Sequence, residues 1–243
     1  MPGGHDDGGV SMKNSSEHSL RRKNRTEVIE MDFMIKYGWL ALIAAMIGDI
    51  VVSLIFALFY KEYSITKMSI SALGNPSSPV RLPFNAWMVL EGLLFLLAIP
   101  ATYDYYHRVS GGITITLAVF IVVFAIGACI FTGFFSVNES KDIVTTASKV
   151  HGVGSVIGFM LFLFVPLLFA ILSFKNGENS IGVFSIICFI ISLVFFALFV
   201  MSDKPEFENT IIKNEGLWQR LNLIFMYLPV IVIAINRMTE NAK

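Results

Sequence analysis

The sequence predicts an all-α, polytopic membrane protein with six transmembrane helices and a disordered N-terminal tail. Two observations lead to this prediction. The first is composition, since 55% of the 243 residues are apolar and only 15% are charged, whereas a soluble domain has about a quarter charged residues. The second is that the apolar residues form six long, continuous runs. Each run is long enough to cross a bilayer core, which needs about 20 apolar residues of helix.

Each apolar run is expected to form one membrane-spanning helix. An outer-membrane barrel is excluded because its strands alternate apolar and polar residues, and these runs do not alternate. Helices remain as the structure that satisfies its own backbone hydrogen bonds in lipid. The predicted spans are Tyr37–Tyr60, Phe84–Tyr103, Ile113–Phe135, Val150–Phe174, Ser180–Met201 and Leu217–Ile235.

The first 33 residues differ from the rest of the chain. They are rich in Gly, Ser, Asn and charged residues and contain few large apolar side chains, so they have too little apolar surface to form a core. We therefore expect residues 1–33 to be a disordered cytoplasmic tail. Residues 34–238 are expected to form the six-helix transmembrane domain.

Basic residues in the tail predict the orientation of the chain in the cell membrane. Segments rich in Lys and Arg stay on the cytoplasmic side, and the tail carries Lys13, Arg21, Arg22, Lys23 and Arg25. An even number of spans then places the N-terminus and the C-terminus in the cytoplasm. The three longer loops are expected outside, over residues 61–83, 136–149 and 202–216.

The charge balance gives no sign of nucleic acid binding. Lys+Arg and Asp+Glu both total 18, so the chain has no net basic charge that would attract phosphates. Cys129 and Cys188 both lie in apolar runs and predict no disulfide framework. Membrane lipids are the expected partners, and the sequence names no protein partner.

A small group of polar side chains interrupts the spans. Ionisable residues are costly inside a membrane and mark functional positions or buried pairs. Asp49 lies near the middle of the first span, while the others lie toward the end of their helices that is expected outside. We predict that they form one polar cluster for substrate binding or for structure. Its members are Asp49, Ser71, Asn85, Glu91, His151 and Arg220.

Several members of this cluster have two open interpretations. Arg220 is expected either to pair with Glu91 or Asp49, or to bind a lipid phosphate or another anion through its planar guanidinium. His151 is expected either to form a hydrogen bond with a loop or to act as a general base, which makes it the one candidate catalytic residue. Asn85 is placed to cap the second helix.

The fourth span carries a pattern that fixes the direction of His151. His151, Gly154 and Gly158 recur at helical spacing and share one face. Two glycines four residues apart allow another helix to approach closely. We therefore expect His151 to point into the bundle rather than toward lipid.

Several cofactor and metal chemistries are excluded by residue counts. Of the four histidines, His5 and His18 lie in the tail, while His107 and His151 are expected on opposite faces of the membrane. A three-histidine zinc site and a bis-histidine haem are therefore ruled out, and we expect no metal and no cofactor. The sequence also contains no Walker A motif, no H-E-x-x-H and no G-x-S-x-G.

The loop after the first span carries the most specific motif. It reads Ser71-Ala72-Leu73-Gly74, continues through a turn with two prolines, and ends with Phe84-Asn85 at the next helix. This S-x-L-G and F-N pair resembles the prokaryotic membrane family called domain of unknown function 998. Further matches, in the same order along residues 37–235, are Glu91-Gly92, Gly133-Phe134-Phe135, His151 and Gly216-Leu217-Trp218-Gln219-Arg220-Leu221.

The resemblance implies a six-helix integral membrane protein and no known reaction. The family also looks distantly like the Frag1/DRAM/Sfk1 group of eukaryotic proteins of lipid and membrane homeostasis, an analogy of fold only. From the residues, we expect a non-enzymatic role in lipid-associated membrane maintenance, or an accessory or sensory function. One alternative is an intramembrane lipid-modifying enzyme with His151 as base and Arg220 as anion clamp. Another alternative is a small-solute transporter with a polar cavity around Asp49 that reaches both faces.

Overall fold

In a computed structural model of the protein, residues 8–138 and 143–241 are described, with side chains over 28–138 and 143–240. Six helices in these ranges are long and apolar enough to cross a membrane. They are α1 (Gly8–Ala57), α2 (Arg81–Tyr106), α3 (Gly111–Phe134), α4 (Thr146–Lys175), α5 (Asn179–Met201) and α6 (Glu215–Asn241). The described ranges contain no β-strand. The predicted all-α fold with six membrane helices is therefore confirmed.

The six predicted spans fall on these six helices, with ends that differ by a few residues. The largest difference is at the start of α1, because Val28–Phe33 are already helical and exposed. Helix α1 thus extends before residue 34, and the boundary between tail and transmembrane domain stays a prediction. Residues 1–7 and the side chains before Val28 lie outside the described part of the chain, so the disorder of the tail stays a prediction.

Two groups of connections define the two ends of the bundle. The long-loop side is formed by residues 58–80, 135–138, 143–145 and 202–214, and includes the short 3-10 helix Ile70–Gly74. The short-loop side is formed by residues 107–110 and 176–178. Because the number of spans is even, the start of α1 and the end of α6 also lie on the short-loop side.

Close backbone contacts hold neighbouring helices together. A Cβ atom built on Gly127 of α3 would lie 2.5 Å from the carbonyl oxygen of Gly154 of α4, and one on Gly154 would lie 2.8 Å from the carbonyl oxygen of Gly127. Gly158 lies against Ala128 in the same way. The close helix approach predicted from Gly154 and Gly158 is therefore present.

A cluster of aromatic side chains fills the centre of the bundle. Phe95, Phe124, Phe162 and Tyr227 come from α2, α3, α4 and α6, and each is at most 1% exposed. Their ring centroids lie 4.2 to 6.4 Å apart, mostly edge to face, which is the preferred aromatic geometry. This aromatic core joins four of the six helices.

Two helices depart from regular α geometry. Residues Ala125–Ile130 of α3 form a π-helical stretch, a feature that often accompanies functional sites. In α4, a first segment (Thr146–Phe162) is separated by a turn from a second segment (Val165–Lys175), and Pro166 stands at the start of the second. Because proline has no N–H group, it cannot make the hydrogen bond that would continue the first segment. The first segment packs on α3, whereas the second packs on α5.

Candidate functional site

A cavity of about 660 Å³ lies in the half of the bundle toward the long-loop side. It is within the size range of small-molecule sites. Most of its walls are apolar side chains, from Phe84 and Met88 in the interior to Met160 and Val200 at the edge. Its polar lining residues are Asp49, Ser69, Ser71, Glu91, Cys129, Thr132, His151, Ser155, Glu215 and Gln219.

Two carboxylates from neighbouring helices lie at the inner end of the cavity. Asp49 of α1 is 5% exposed, and its Oδ2 accepts a 2.8 Å hydrogen bond from the hydroxyl of Tyr227 on α6. Glu91 of α2 is completely buried, and neither of its carboxylate oxygens has a hydrogen-bond partner among the described residues. The two acids are close enough to interact electrostatically. Such a pair is costly to bury without a compensating donor or cation.

The π-helical stretch of α3 lies directly against Glu91. A Cβ atom on the next residue, Gly92, would lie 2.7 Å from the carbonyl oxygen of Ala125 and 3.2 Å from the Cβ of Cys129. Gly92 therefore brings α2 onto this stretch, and the thiol of Cys129, a weak donor, lies beside the Glu91 carboxylate. The irregular part of α3 is thus part of the wall at the acidic end.

His151 lies on the cavity wall near the long-loop side and is 6% exposed. Its Nδ1 is 3.0 Å from the carbonyl oxygen of Phe135, and its Nε2 is 3.5 Å from the hydroxyl of Ser155 one turn later. A carbonyl can only accept, so Nδ1 carries the hydrogen and Nε2 is left as the acceptor. The expected hydrogen bond between His151 and a loop is present.

Helix α6 holds the first loop over the cavity through two adjacent residues. The side-chain oxygen of Gln219 accepts a 2.7 Å hydrogen bond from the backbone N–H of Ile70. The Arg220 guanidinium donates to the carbonyl of Ile65 at 2.7 Å and to the hydroxyl of Tyr63 at 2.6 Å. Further Arg220 bonds reach the carbonyls of Gly216 and Met68.

The loop hydroxyl that Arg220 contacts is itself buried. Burial raises the pKa of the Tyr63 hydroxyl, and the nearby Arg220 charge opposes this rise. The hydroxyl also donates to the carbonyl of Ser69 at 2.9 Å. The net effect keeps Tyr63 protonated at neutral pH, so it can accept from Arg220 and donate to the loop at once.

The structure corrects two expectations for this region. Within the described residues Arg220 donates to the loop and to its own helix, and the pair expected with Glu91 or Asp49 is not formed. Asn85 does not cap α2, because the helix begins one turn earlier at Arg81. Its side-chain amide instead donates to the hydroxyl of Ser136 in the second long loop.

The cavity reaches the membrane-facing surface of the bundle between α4 and α5. Its lining includes Val156 and Met160 of the first segment of α4 and Val200 of α5, which are 57%, 51% and 49% exposed. The break at Pro166 keeps the second segment of α4 on α5 while the first segment leans onto α3. These exposed lining residues indicate that the cavity opens between α4 and α5, which we call its lateral opening.

Comparison with models of protein families identifies the family of the chain. The model of the family described as a protein of unknown function, DUF998, matches residues 42–236. The chain belongs to the DUF998 family. No curated protein and no solved structure matched it. The matched region covers all six spans, from within α1 to within α6.

The motif residues that resemble the DUF998 family form the scaffold of the long-loop side. A Cβ atom on Gly74 would lie 2.5 Å from the side-chain oxygen of Asn85 and 3.1 Å from the ring of Phe84, so S-x-L-G packs directly on F-N. A Cβ atom on Gly133 would lie 2.7 Å from the carbonyl of Asn85. On α6, a Cβ atom on Gly216 would meet the carbonyls of Met68 and Ile65 at 2.2 and 2.5 Å. In this DUF998 protein, these glycines let the loops and helices close over the cavity.

The structure brings together four of the six residues of the predicted cluster. Asp49, Ser71, Glu91 and His151 line the cavity, while Asn85 and Arg220 are not among its lining residues. The hydroxyl of Ser71 lies 3.3 Å from that of Ser69. Gln219 was noted only as part of the motif at the start of α6, and Tyr227 and Ser155 were missed by sequence reasoning. Their signal is spacing, because Ser155 is one turn from His151 and Tyr227 is two turns from Arg220.

A second buried cation fastens the short-loop side and was also missed. Arg237 of α6 is 1% exposed, forms ion pairs with Glu178 and Glu240, and lies 4.2 Å from the ring centroid of Tyr105. It therefore joins the end of α6 to the loop before α5 and to the end of α2. Arg237 follows the last span directly, where basic residues commonly flank a membrane helix, so nothing in the sequence marks it as buried.

Proposed function

We propose that this DUF998 protein binds an amphipathic membrane molecule in its cavity, without changing it chemically, as part of lipid-associated membrane maintenance or sensing. One observation carries the proposal: the cavity has apolar walls, a lateral opening between two membrane helices, and polar groups at its inner end. An apolar chain would enter from the bilayer core between α4 and α5. Its polar end would reach Asp49 and Glu91.

The closed inner end supports binding over passage. The aromatic core of Phe95, Phe124, Phe162 and Tyr227 lies between the acidic end of the cavity and the short-loop side. Phe95 lies one helical turn beyond Glu91. A small-solute transporter would need this aromatic core to open, whereas in a binding protein the core would form the closed end of the cavity.

The enzyme alternative has support for one of its two residues. His151 lies in the cavity wall with Nε2 free to accept a proton, as a base requires. Arg220, the intended anion clamp, donates to the loop and is not among the lining residues. We therefore place the binding function first.

The orientation of the cavity is part of the proposal. We infer from the basic tail that both termini lie in the cytoplasm. The long-loop side then faces outward, and the lateral opening lies in the outer leaflet of the cell membrane. The bound molecule would come from that leaflet.

A membrane-dissolved photoreactive probe tests the binding function. The full chain is placed in phosphatidylcholine nanodiscs with a dodecyl probe that carries a diazirine on the carbons next to its polar group. We expect labelling at Met88 and Leu223, which line the cavity and are 6% and 1% exposed. General contact with lipid is measured by labelling at Val119, which is 49% exposed.

Two glycine variants provide the control. A Cβ atom on Gly152 would meet nothing within 4 Å, and Gly152 lines the cavity, so Gly152→Trp fills space without a clash at the backbone. Gly112→Trp adds the same side chain in open space on the short-loop side. Gly152→Trp should remove labelling at Met88 and Leu223 and leave Val119 unchanged, while Gly112→Trp should leave all three unchanged. Labelling only at Val119 in the wild type would overturn the proposal.

A further inference from the structure

We infer that the inner end of the cavity binds a primary ammonium group, so that the preferred ligand is a cationic, single-chain amphiphile without a phosphate. This inference rests on the proposed function and specifies the chemical class of its ligand.

Glu91 is the first element of the site. It lines the cavity, is completely buried, and has two oxygens without a hydrogen-bond partner among the described residues. A buried acceptor left unpaired costs stability, and native proteins satisfy almost all such groups. Apart from the weakly donating thiol of Cys129, the described residues offer Glu91 no hydrogen-bond donor, and a ligand can supply one.

Asp49 supplies the second acceptor from the neighbouring helix α1. It lines the same end of the cavity and interacts electrostatically with Glu91. The hydroxyl of Tyr227 donates to one of its oxygens and fixes the position of the carboxylate. Two carboxylates from α1 and α2 thus face one space, and an ammonium group has three donors to bridge them.

The charges around the rest of the cavity favour a cation over an anion. The lining residues, all within the described ranges, include Asp49, Glu91 and Glu215 but no lysine or arginine. Arg220 is bound to the carbonyl of Ile65 and the hydroxyl of Tyr63, and it acts electrostatically on Asp49 without forming an ion pair with it. A phosphate or carboxylate headgroup would meet the carboxylates of Asp49 and Glu91 and would find no guanidinium or ammonium group in the lining, which disfavours such a ligand.

The remaining walls define the other part of the ligand. From the acidic end, the cavity continues past Met88 and Leu223 to Phe199 and Met160 at the lateral opening. These side chains offer contact to an alkyl chain and no further polar group. A single chain fits this path, with its ammonium group at Glu91 and its end toward the lipid.

Three probes of the same chain length test the charge preference. Native mass spectrometry of the full-length protein measures the bound fraction of dodecylamine, dodecanol and dodecanoate. We expect dodecylamine to bind at least about tenfold more tightly than either, because loss of one partner from a buried charge pair weakens a complex by more than that factor. A monododecanoyl lysophosphatidylethanolamine, which adds a phosphate next to the amine, should bind more weakly than dodecylamine.

Substitutions of Glu91 test whether the preference for the ammonium group depends on this carboxylate. Glu91→Gln should reduce dodecylamine binding to the level of dodecanol, while Glu62→Gln, an exposed carboxylate in the first long loop, should keep the wild-type preference. If Glu91→Gln does not fold, the ammonium preference is tested with the wild type and Glu91→Asp. Glu91→Asp keeps the carboxylate and should bind dodecylamine more tightly than dodecanol, and dodecanol more tightly than dodecanoate.

The outcomes separate this inference from the proposed function. Equal binding of the three dodecyl probes to the wild type, lost in Gly152→Trp, would overturn the ammonium site and leave the binding function standing. Tighter binding of the lysophospholipid than of dodecylamine would also overturn the inference, since the ligand would then be a phospholipid headgroup. Binding of no probe would contradict both.

Discussion

The hydroxyl of Tyr227 donates a 2.8 Å hydrogen bond to Oδ2 of Asp49 and so joins α6 to α1 in the centre of the bundle. Both residues are almost fully buried, and no described residue supplies Asp49 with an ion pair. The bond thus holds one acid of the cavity in place while Glu91, the other, is left open to a ligand.

Removing this hydroxyl tests how much the bond contributes. Tyr227→Phe keeps the aromatic ring in the core and removes only the donor. We expect it to lower the free energy of unfolding in detergent by about 1 kcal/mol, the size found for hydrogen bonds between membrane helices. Tyr37→Phe, at a 38% exposed position of α1, is the matched control and should change little. Equal stability of Tyr227→Phe and the wild type would contradict a structural role for this bond.

The contacts of Arg220 predict that it holds the first long loop. Arg220→Ala should speed amide hydrogen exchange at residues 65–70, because the guanidinium contacts in this loop are lost. Arg220→Lys should also show fast amide exchange in this loop, since one ammonium group cannot replace a planar guanidinium that donates to several acceptors at once. Arg81→Ala, an exposed arginine at the start of α2, is the control.

The same variant separates the loop contact from the carboxylate pair expected from sequence. If Arg220 acts through the loop, the stability effects of Arg220→Ala and Glu91→Gln should add, as they do for groups that do not interact directly. A large coupling between them would show that the two charges act as a pair.

Alanine substitutions at two nearby glycines of α4 should have different effects on the stability of the protein. Gly154→Ala places a Cβ atom 2.8 Å from the carbonyl oxygen of Gly127, so α3 and α4 must separate. Gly152→Ala adds the same atom in open space. Gly154→Ala should lower the unfolding midpoint, whereas Gly152→Ala should leave it unchanged or raise it, because alanine favours a helix over glycine. Equal midpoints for the two variants would contradict the close contact.

The orientation predicts which loops are accessible from outside the cell. Cysteines at Ser77 and Asn209, exposed on the long-loop side, should react with a membrane-impermeant thiol reagent in intact cells. A cysteine at Asn176, exposed on the short-loop side, should react only after the cells are opened. The native Cys129 and Cys188 are buried and provide a low background. The reverse pattern would place the cavity opening in the inner leaflet.

Composition and spacing were enough to predict the spans and to single out four of the polar residues that line the cavity. Glu91 and His151 could be placed on one side of the bundle, and Asp49 near its middle, because helix length and depth follow directly from position in each span. The direction of His151 followed from its shared face with Gly154 and Gly158, and the structure has the helix contacts that this face requires.

What sequence reasoning missed depends on backbone geometry. Arg220 was expected to find an acid, but its partners are carbonyls of a loop whose folded path no local pattern reveals. The π-helical stretch of α3 is a change in hydrogen-bond spacing within an ordinary apolar run. Arg237 sits at a helix end, where exposed basic residues are common, and only the fold brings Glu178 and Tyr105 to it.

The most direct test of ligand binding in the cavity is a crystal structure of the full-length protein grown in a lipid mesophase with 12-bromododecylamine. Bromine gives an anomalous signal that locates the chain end without ambiguity. We predict a bromine peak between α4 and α5, near Met160 and Val200, with chain density that leads inward to Glu91. Bromine peaks confined to the outer lipid-facing surface, with α4 and α5 packed together and no cavity between them, would contradict the account.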